Sequence, residues 1–279
     1  MKPFRIVHFS DIHEAQPMRT AGGFFDKRIV DDQAWRIEIG AVNSFFRRRK
    51  SFLRANIAPA VERILASPPD VIVFSGDAAT CGQPSEFRQA LADLKPLTES
   101  GIPLLFSPGN HDAYVRDRAC RNALRNFVEE LTNGRQTLDG YPSVFDPGPL
   151  RFLVFNAARP TNPLLSCGFL DEASQELIRR ECIDRTKPLV AVCHFPFRRI
   201  RHGLVNGFRH RLFGTREAVD FLNGGRLDLV LCGHIHFPYF DLDSTGRGET
   251  SCGSLTRNGA YSVIEYADGV FHHSRVEVK

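Results

Sequence analysis

Five apolar runs in this chain each end on a residue that can bind a metal ion. FRIVHFS leads into Asp11 and His13, VIVFSG into Asp77, and PLLFSPG into the Asn110-His111-Asp112 triplet. LVAVC leads into His194, and LDLVLCG into His234 and His236. Short, continuous apolar runs bounded by turn residues read as buried strands. In an α/β sheet the crevice outside the carboxyl ends of the strands is where ligands bind. Five strand ends carrying carboxylates, imidazoles and one amide oxygen are therefore expected to converge on one site. This pattern constrains the fold more than any compositional number does.

Between the strand-like runs, apolar residues recur at helical spacing. The pattern predicts helices over 56–66, 85–97, 117–131 and 171–182, with Ser85 as the cap of the second and Pro68-Pro69 stopping the first. From residue 227 onward, short strands with Gly-containing turns dominate: PYFDLD, ETSCGS, YSVIEY and VFHHSRVEV. Helix-rich then strand-rich texture predicts mixed sheets with helices outside. With 279 residues and no repeat or low-complexity linker, one domain spanning 1–279 is the simplest organisation.

Net charge is only +4, so bulk electrostatics give no reason to expect a nucleic-acid partner. Seven cysteines without a C-x-x-C pair argue against a cysteine-built zinc site and for reduced core thiols. No leader-like segment opens the chain and no apolar run approaches ~20 residues, so a cytoplasmic location is expected.

Taken singly, D-x-H and G-D are ordinary turn sequences. G-N-H-D and G-H-x-H are rarer, and all five in this order leave little room for coincidence. Mixed imidazole and carboxylate donors suit Mn2+, Fe or Zn2+ better than Ca2+. His8, His202, His210, His272 and His273 lack such context and read as surface or strand histidines.

The series D-x-H, G-D, G-N-H-D, H and G-H-x-H resembles the pattern of the calcineurin-like metallophosphoesterases, over nearly the whole chain. The resemblance implies a four-layer αββα sandwich, two mixed β-sheets flanked by helices. It implies two divalent metal ions, Mn2+ first among the candidates. Asp11, His13 and His236 would hold one, Asn110, His194 and His234 the other, and Asp77 would bridge both. His111 would stabilise the phosphoryl group or protonate the leaving alkoxide, and Asp112 would orient it. The implied reaction is hydrolysis of a phosphodiester or pyrophosphate.

The substrate is less constrained. Residues 14–55 and 197–213 mix phenylalanine with basic residues and read as two insertions at the mouth of the site. Arg47, Arg48, Arg198, Arg199 and Arg257 are candidate substrate-binding cations. Such segments suit a lipid-linked phosphate and an anionic membrane surface, with peripheral attachment to its inner face. In this the chain is similar to the UDP-2,3-diacylglucosamine pyrophosphatases of lipid A biosynthesis, although one common type of those enzymes has Arg where this chain has His111. GNHD rather than GNHE leans toward diesters. The alternatives are a soluble cyclic-nucleotide phosphodiesterase, a nuclease, or a non-enzymatic scaffold of the same fold.

Overall fold

A computed structural model describes residues 2–15, 37, 40, 50–161, 165–198 and 208–278. Two large mixed sheets carry the structure. The first has the order β13-β12-β1-β2-β3, built from β1 (Phe4–Phe9), β2 (Val71–Phe74), β3 (Leu104–Phe106), β12 (Ala260–Ala267) and β13 (Val270–Glu277). The second has the order β10-β11-β9-β7-β5-β4, built from β4 (Ser143–Phe145), β5 (Arg151–Val154), β7 (Leu189–Val192), β9 (Leu229–Cys232), β10 (Pro238–Leu242) and β11 (Gly248–Cys252). A parallel pair, β6 (Gly168–Phe169) and β8 (Leu212–Phe213), lies apart.

Alternation along the strands explains the layering. In β2 and β3, Ile72, Phe74, Leu104 and Phe106 face outward onto helices, while Val71, Val73 and Leu105 face the second sheet. In β5, β7 and β9 the partition repeats: Leu153, Ala191 and Val230 face helices, and Phe152, Val190, Val192 and Leu231 meet the first sheet. Both faces of these strands are buried, which is why the runs are continuously apolar. The helices α1 (Ile57–Ala66), α2 (Pro84–Glu99) and α3 (Arg118–Leu131) cover the first sheet. The second is covered by α4 (Glu172–Ile183) and α5 (Arg216–Asn223). This is the expected αββα sandwich.

The helical predictions hold to within a few residues, with one correction. The cap of α2 is Gln83, not Ser85: its side chain and Glu86 form a reciprocal capping box, with Pro84 in the first turn. The strands β4, β6 and β8 and the helix α5 were outside the sequence reading. All seven cysteines are buried and no disulfide joins them. Among the described residues no helix is long and apolar enough to cross a membrane.

The parallel strands β1, β2 and β3 end together, and so do β7 and β9 of the other sheet. Side chains join these ends across the sandwich. Ser107 Oγ donates to the Phe155 carbonyl at 2.7 Å and accepts the His194 amide at 3.0 Å.

Candidate metal centre

The backbone beyond each strand end bends sharply. Asp11, His13, Asp77, His234 and His236 all have φ between 49° and 70°, in the left-handed region that residues with a Cβ rarely occupy. Each such residue costs on the order of 1–3 kcal/mol and persists only where its surroundings hold it. Here hydrogen bonds hold it. The Asp11 amide donates to the Gly76 carbonyl at 2.9 Å and the His13 amide to the Asp77 carbonyl at 3.0 Å, so the first two loops run side by side.

The two aspartates share a division of labour. Asp11 Oδ2 accepts the His234 amide at 3.1 Å, and Asp77 Oδ1 accepts the His111 amide at 2.8 Å. Each carboxylate thus fastens the loop of another motif with one oxygen. The other oxygens, Asp11 Oδ1 and Asp77 Oδ2, are buried without a hydrogen-bond donor, as is His234 Nε2. Buried acceptors left in this state are costly, and a cation between them removes the cost.

Two groups of donors surround these atoms. Asp11 Oδ1 lies 3.1 Å from His236 Nε2 and 3.6 Å from His13 Nε2, and those two nitrogens are 2.8 Å apart. Asp77 Oδ2 lies 3.6 Å from His13 Nε2 and 3.3 Å from His194 Nε2. The same His194 nitrogen is 3.3 Å from Asn110 Oδ1. His194 Nδ1 donates to the Ser75 carbonyl at 2.7 Å, which leaves Nε2 with its lone pair facing two oxygen acceptors. Acceptors pointed at one another fit a bound cation, and the Asp11, His13, Asp77 and His236 donors all lie within 4.8 Å of one another.

Electrostatics agree. Burial would raise the carboxyl pKa of Asp11, but His236, His13 and His194 hold it well below the ordinary range. Asp77 is likewise lowered by His194, His111 and His13 against its own burial. Burial lowers His194, yet Asp77 and Asp11 carry it up to about 9. Burial, with His194 beside it, pushes His234 well below its usual value, so that ring stays neutral and able to ligate. The site draws positive charge to its centre.

The sequence profile of the calcineurin-like phosphoesterases matches residues 4–238, an interval that contains every one of these groups. The chain belongs to that family. A stretch of 75 residues is 45% identical to the glycerophosphodiester phosphodiesterase GpdQ of Enterobacter lignolyticus (strain SCF1), spanning 26% of this chain and 24% of that protein. A dimetal phosphatase from Danio rerio superposes with a TM-score of 0.65 at 12% identity, covering all of both chains. A purple acid phosphatase from yellow lupin (Lupinus luteus) seeds superposes with 0.57 at 13% identity, covering 99% of this chain and 52% of that one. These structural likenesses show the shared fold.

Other expected residues of this phosphoesterase fall differently. His111 is beside the site, its ring 4.9 Å from that of His13 and stacked 5.4 Å from Tyr114. Its Nδ1 donates to the Thr80 carbonyl at 2.5 Å. In the structure the Thr80 carbonyl, not the Asp112 carboxylate, faces this nitrogen. Asp112 instead accepts three backbone amides, from Asp77 (2.9 Å), Gly109 (2.8 Å) and Ala79 (3.0 Å). Burial and the charge of Asp77 raise its carboxyl to about 7.

Among the candidate substrate cations, Arg47, Arg48 and Arg199 lie outside the described residues. Arg198 is engaged by Asp241 at 2.5 Å and Asn223 at 2.9 Å, in a cleft shared with Phe197, Arg211, Phe213 and Arg216. Arg257 sits exposed on the short helix α6 (Leu255–Asn258).

His210, read as a surface or strand histidine, stands in a 3-10 turn with its ring 5.7 Å from that of His234. His8 does lie in a strand, but fully buried.

Sequence reasoning also missed the serines beneath the ligands. Ser10, Ser75 and Ser107 are fully buried and supply hydroxyls or carbonyls to neighbouring motif loops. The signal was present: each follows a strand-ending phenylalanine, Phe9, Phe74 or Phe106. Those three rings pack in a row, with centroids 4.7 and 5.1 Å apart.

Proposed function

We propose that this chain hydrolyses phosphodiesters at a two-ion site. Asp11, His13 and His236 would hold one ion, Asn110, His194 and His234 the second, and Asp77 would touch both. The observation that carries this reading is Asp77 Oδ2, a buried oxygen without a donor, 3.6 Å from His13 Nε2 and 3.3 Å from His194 Nε2. Two divalent ions in such a site activate water at neutral pH and stabilise the oxygens of an in-line displacement at phosphorus. Mn2+ heads the candidates, with Fe and Zn2+ behind it.

This chain's own residues set the geometry. Asp11 and Asp77 supply the negative charge and fasten the His234 and His111 loops with their second oxygens. His111, with its Nδ1 proton committed to Thr80, presents Nε2 to stabilise the phosphoryl oxygens or to protonate the departing alkoxide.

A diester substrate is supported by the likeness to a glycerophosphodiester phosphodiesterase and by aspartate in the G-N-H-D position. The UDP-2,3-diacylglucosamine reading, with its anionic membrane surface, rests on Arg47, Arg48 and Arg199, outside the described residues. Arg198, which it also invokes, is neutralised by Asp241. The diester reading is the better supported. One panel tests it: bis-p-nitrophenyl phosphate, a glycerophosphodiester, cAMP, UDP-2,3-diacylglucosamine and single-stranded DNA, each with Mn2+, Zn2+ and Fe2+. Faster turnover of the glycerophosphodiester than of the other natural substrates supports it. Preference for the UDP-lipid, or no turnover of any diester in the panel, refutes it.

A further inference from the structure

The ligand histidines differ in what holds their rings. His194 is fixed by its Nδ1 hydrogen bond to the Ser75 carbonyl, the usual arrangement for a metal-binding imidazole. His236 is not. Among the described residues its only hydrogen-bond contact is through Nε2, the atom it turns toward Asp11 and His13. Its backbone is in the left-handed region at φ 52° and its side chain is partly open to solvent, so it has more freedom to rotate than His194.

Packing supplies the missing restraint. Phe52 stands edge-on to His236 with centroids 5.1 Å apart and planes at 82°, and edge-on to His13 at 5.1 Å and 87°. The two histidine rings are themselves 4.7 Å apart at 86°. The three rings form a nearly equilateral, mutually perpendicular set, the arrangement favoured by aromatic quadrupoles. The Phe52 ring thus stands against both imidazoles.

Phe52 is itself anchored to the motif loop it braces. The Leu53 amide donates to the Thr256 carbonyl at 2.9 Å, and Asn56 Nδ2 donates to the same carbonyl at 3.0 Å. Thr256 Oγ1 in turn donates to the Ile12 carbonyl at 3.0 Å, in the middle of the Asp11-Ile12-His13 segment. Arg54 clamps the turn from the other side, with Nε 3.3 Å from Glu14 Oε1 and 2.8 Å from Asp93 Oδ2. A displacement of Asp11–His13 therefore carries Phe52 with it.

We infer that Phe52 is a positioning residue for the Asp11–His13–His236 ion site, doing by ring packing for His236 what Ser75 does by hydrogen bonding for His194. The inference rests on the two-ion reading above. Phe52 touches no reacting atom. It acts by keeping two imidazole nitrogens aimed at one point.

The test is a Co2+ titration of metal-depleted protein followed by visible absorption, on the wild type and on Phe52→Ala, Phe52→Leu and Phe52→Tyr. Phe52→Ala weakens one of the two Co2+ sites about tenfold or more, in the range for loss of a ligand's supporting partner, and leaves the other unchanged. Phe52→Tyr keeps both affinities, because the ring edge is retained. Phe52→Leu melts as the wild type does but binds as Phe52→Ala does, which separates positioning from simple filling of space. With bis-p-nitrophenyl phosphate under limiting metal, kcat falls in Phe52→Ala while KM stays near the wild-type value. Two Co2+ taken up with unchanged affinities in Phe52→Ala, or equal weakening of both sites, overturns this inference alone. A wild type that binds fewer than two Co2+ overturns the two-ion reading and this inference with it.

Discussion

A Cβ on Gly109 would lie 2.2 Å from Oδ1 of Asp77, inside the carboxylate. The two loops approach so closely because that same oxygen accepts the His111 amide, while Oδ2 is left buried without a donor. Gly109→Ala therefore cannot be absorbed by a side-chain rotation. It must push the Asp77 carboxylate away from both His13 and His194. The expected outcome is loss of turnover of roughly 100-fold or more, with fewer than two ions per chain, at the upper end for disturbed metal partners. Elemental analysis of the dialysed protein alongside kinetics checks it. Full activity with two ions bound would remove Asp77 from the bridging position.

Asp112 predicts a different signature. Its two oxygens accept the amides of Asp77, Gly109 and Ala79, so it organises backbone and has no free oxygen to offer an ion. Asp112→Asn replaces one acceptor by a donor that faces an N–H. Leaving buried amides without acceptors costs about 1–3 kcal/mol each. Urea denaturation should show a loss of that order, and metal affinity should fall for both sites together. Unchanged stability with a selective loss of turnover would restore Asp112 to a role on His111.

Much of this was legible from residues 4–13, 71–77 and 103–112, because a strand buried on both faces needs an unbroken apolar run and a turn residue must stop it. The same logic placed His194, His234 and His236. Legibility failed where tertiary contact overrides local preference. Ser85 looks like a helix cap, but Gln83 with Glu86 and Pro84 makes the better box. Asp112 follows His111 in the chain, which suggests a pair, yet the turn directs the carboxylate to three amides behind it. Phe52 lies 39 residues beyond His13 with no periodicity to link them, and tertiary contacts such as the Thr256 bridge bring them together. The short strands β4, β6 and β8 have two or three residues each, too few for any alternation to register.

His8 makes stability depend on pH. It is fully buried in β1, its Nε2 2.8 Å from Ser75 Oγ, and burial lowers its pKa from 6.5 to about 3. Between those values the unfolded chain binds a proton that the folded chain refuses. Stability attributable to His8 is therefore full above pH 6.5 and is lost as pH falls toward 3, at up to about 1.4 kcal/mol per pH unit. In metal-depleted protein, His8→Asn should flatten the decline in urea midpoint between pH 7 and pH 5, although His234, also lowered, leaves part of it. An unchanged slope would mean that His8 is already charged in the fold.

His111 separates binding from chemistry. Its amide is tied to Asp77 Oδ1, while its ring donates through Nδ1 to the Thr80 carbonyl and stacks on Tyr114. His111→Ala keeps the amide and removes only the imidazole. Both ions should stay bound, while turnover falls by about 10²–10⁴, the usual worth of a positioned general acid or base. The drop should shrink for diesters whose leaving group needs no proton. Comparing bis-p-nitrophenyl phosphate with an alkyl diester reads this directly, since nitrophenolate departs unaided and an alkoxide does not. Equal losses on both substrates would assign His111 to the phosphoryl oxygens rather than to the leaving group. No loss on either would take it out of the reaction.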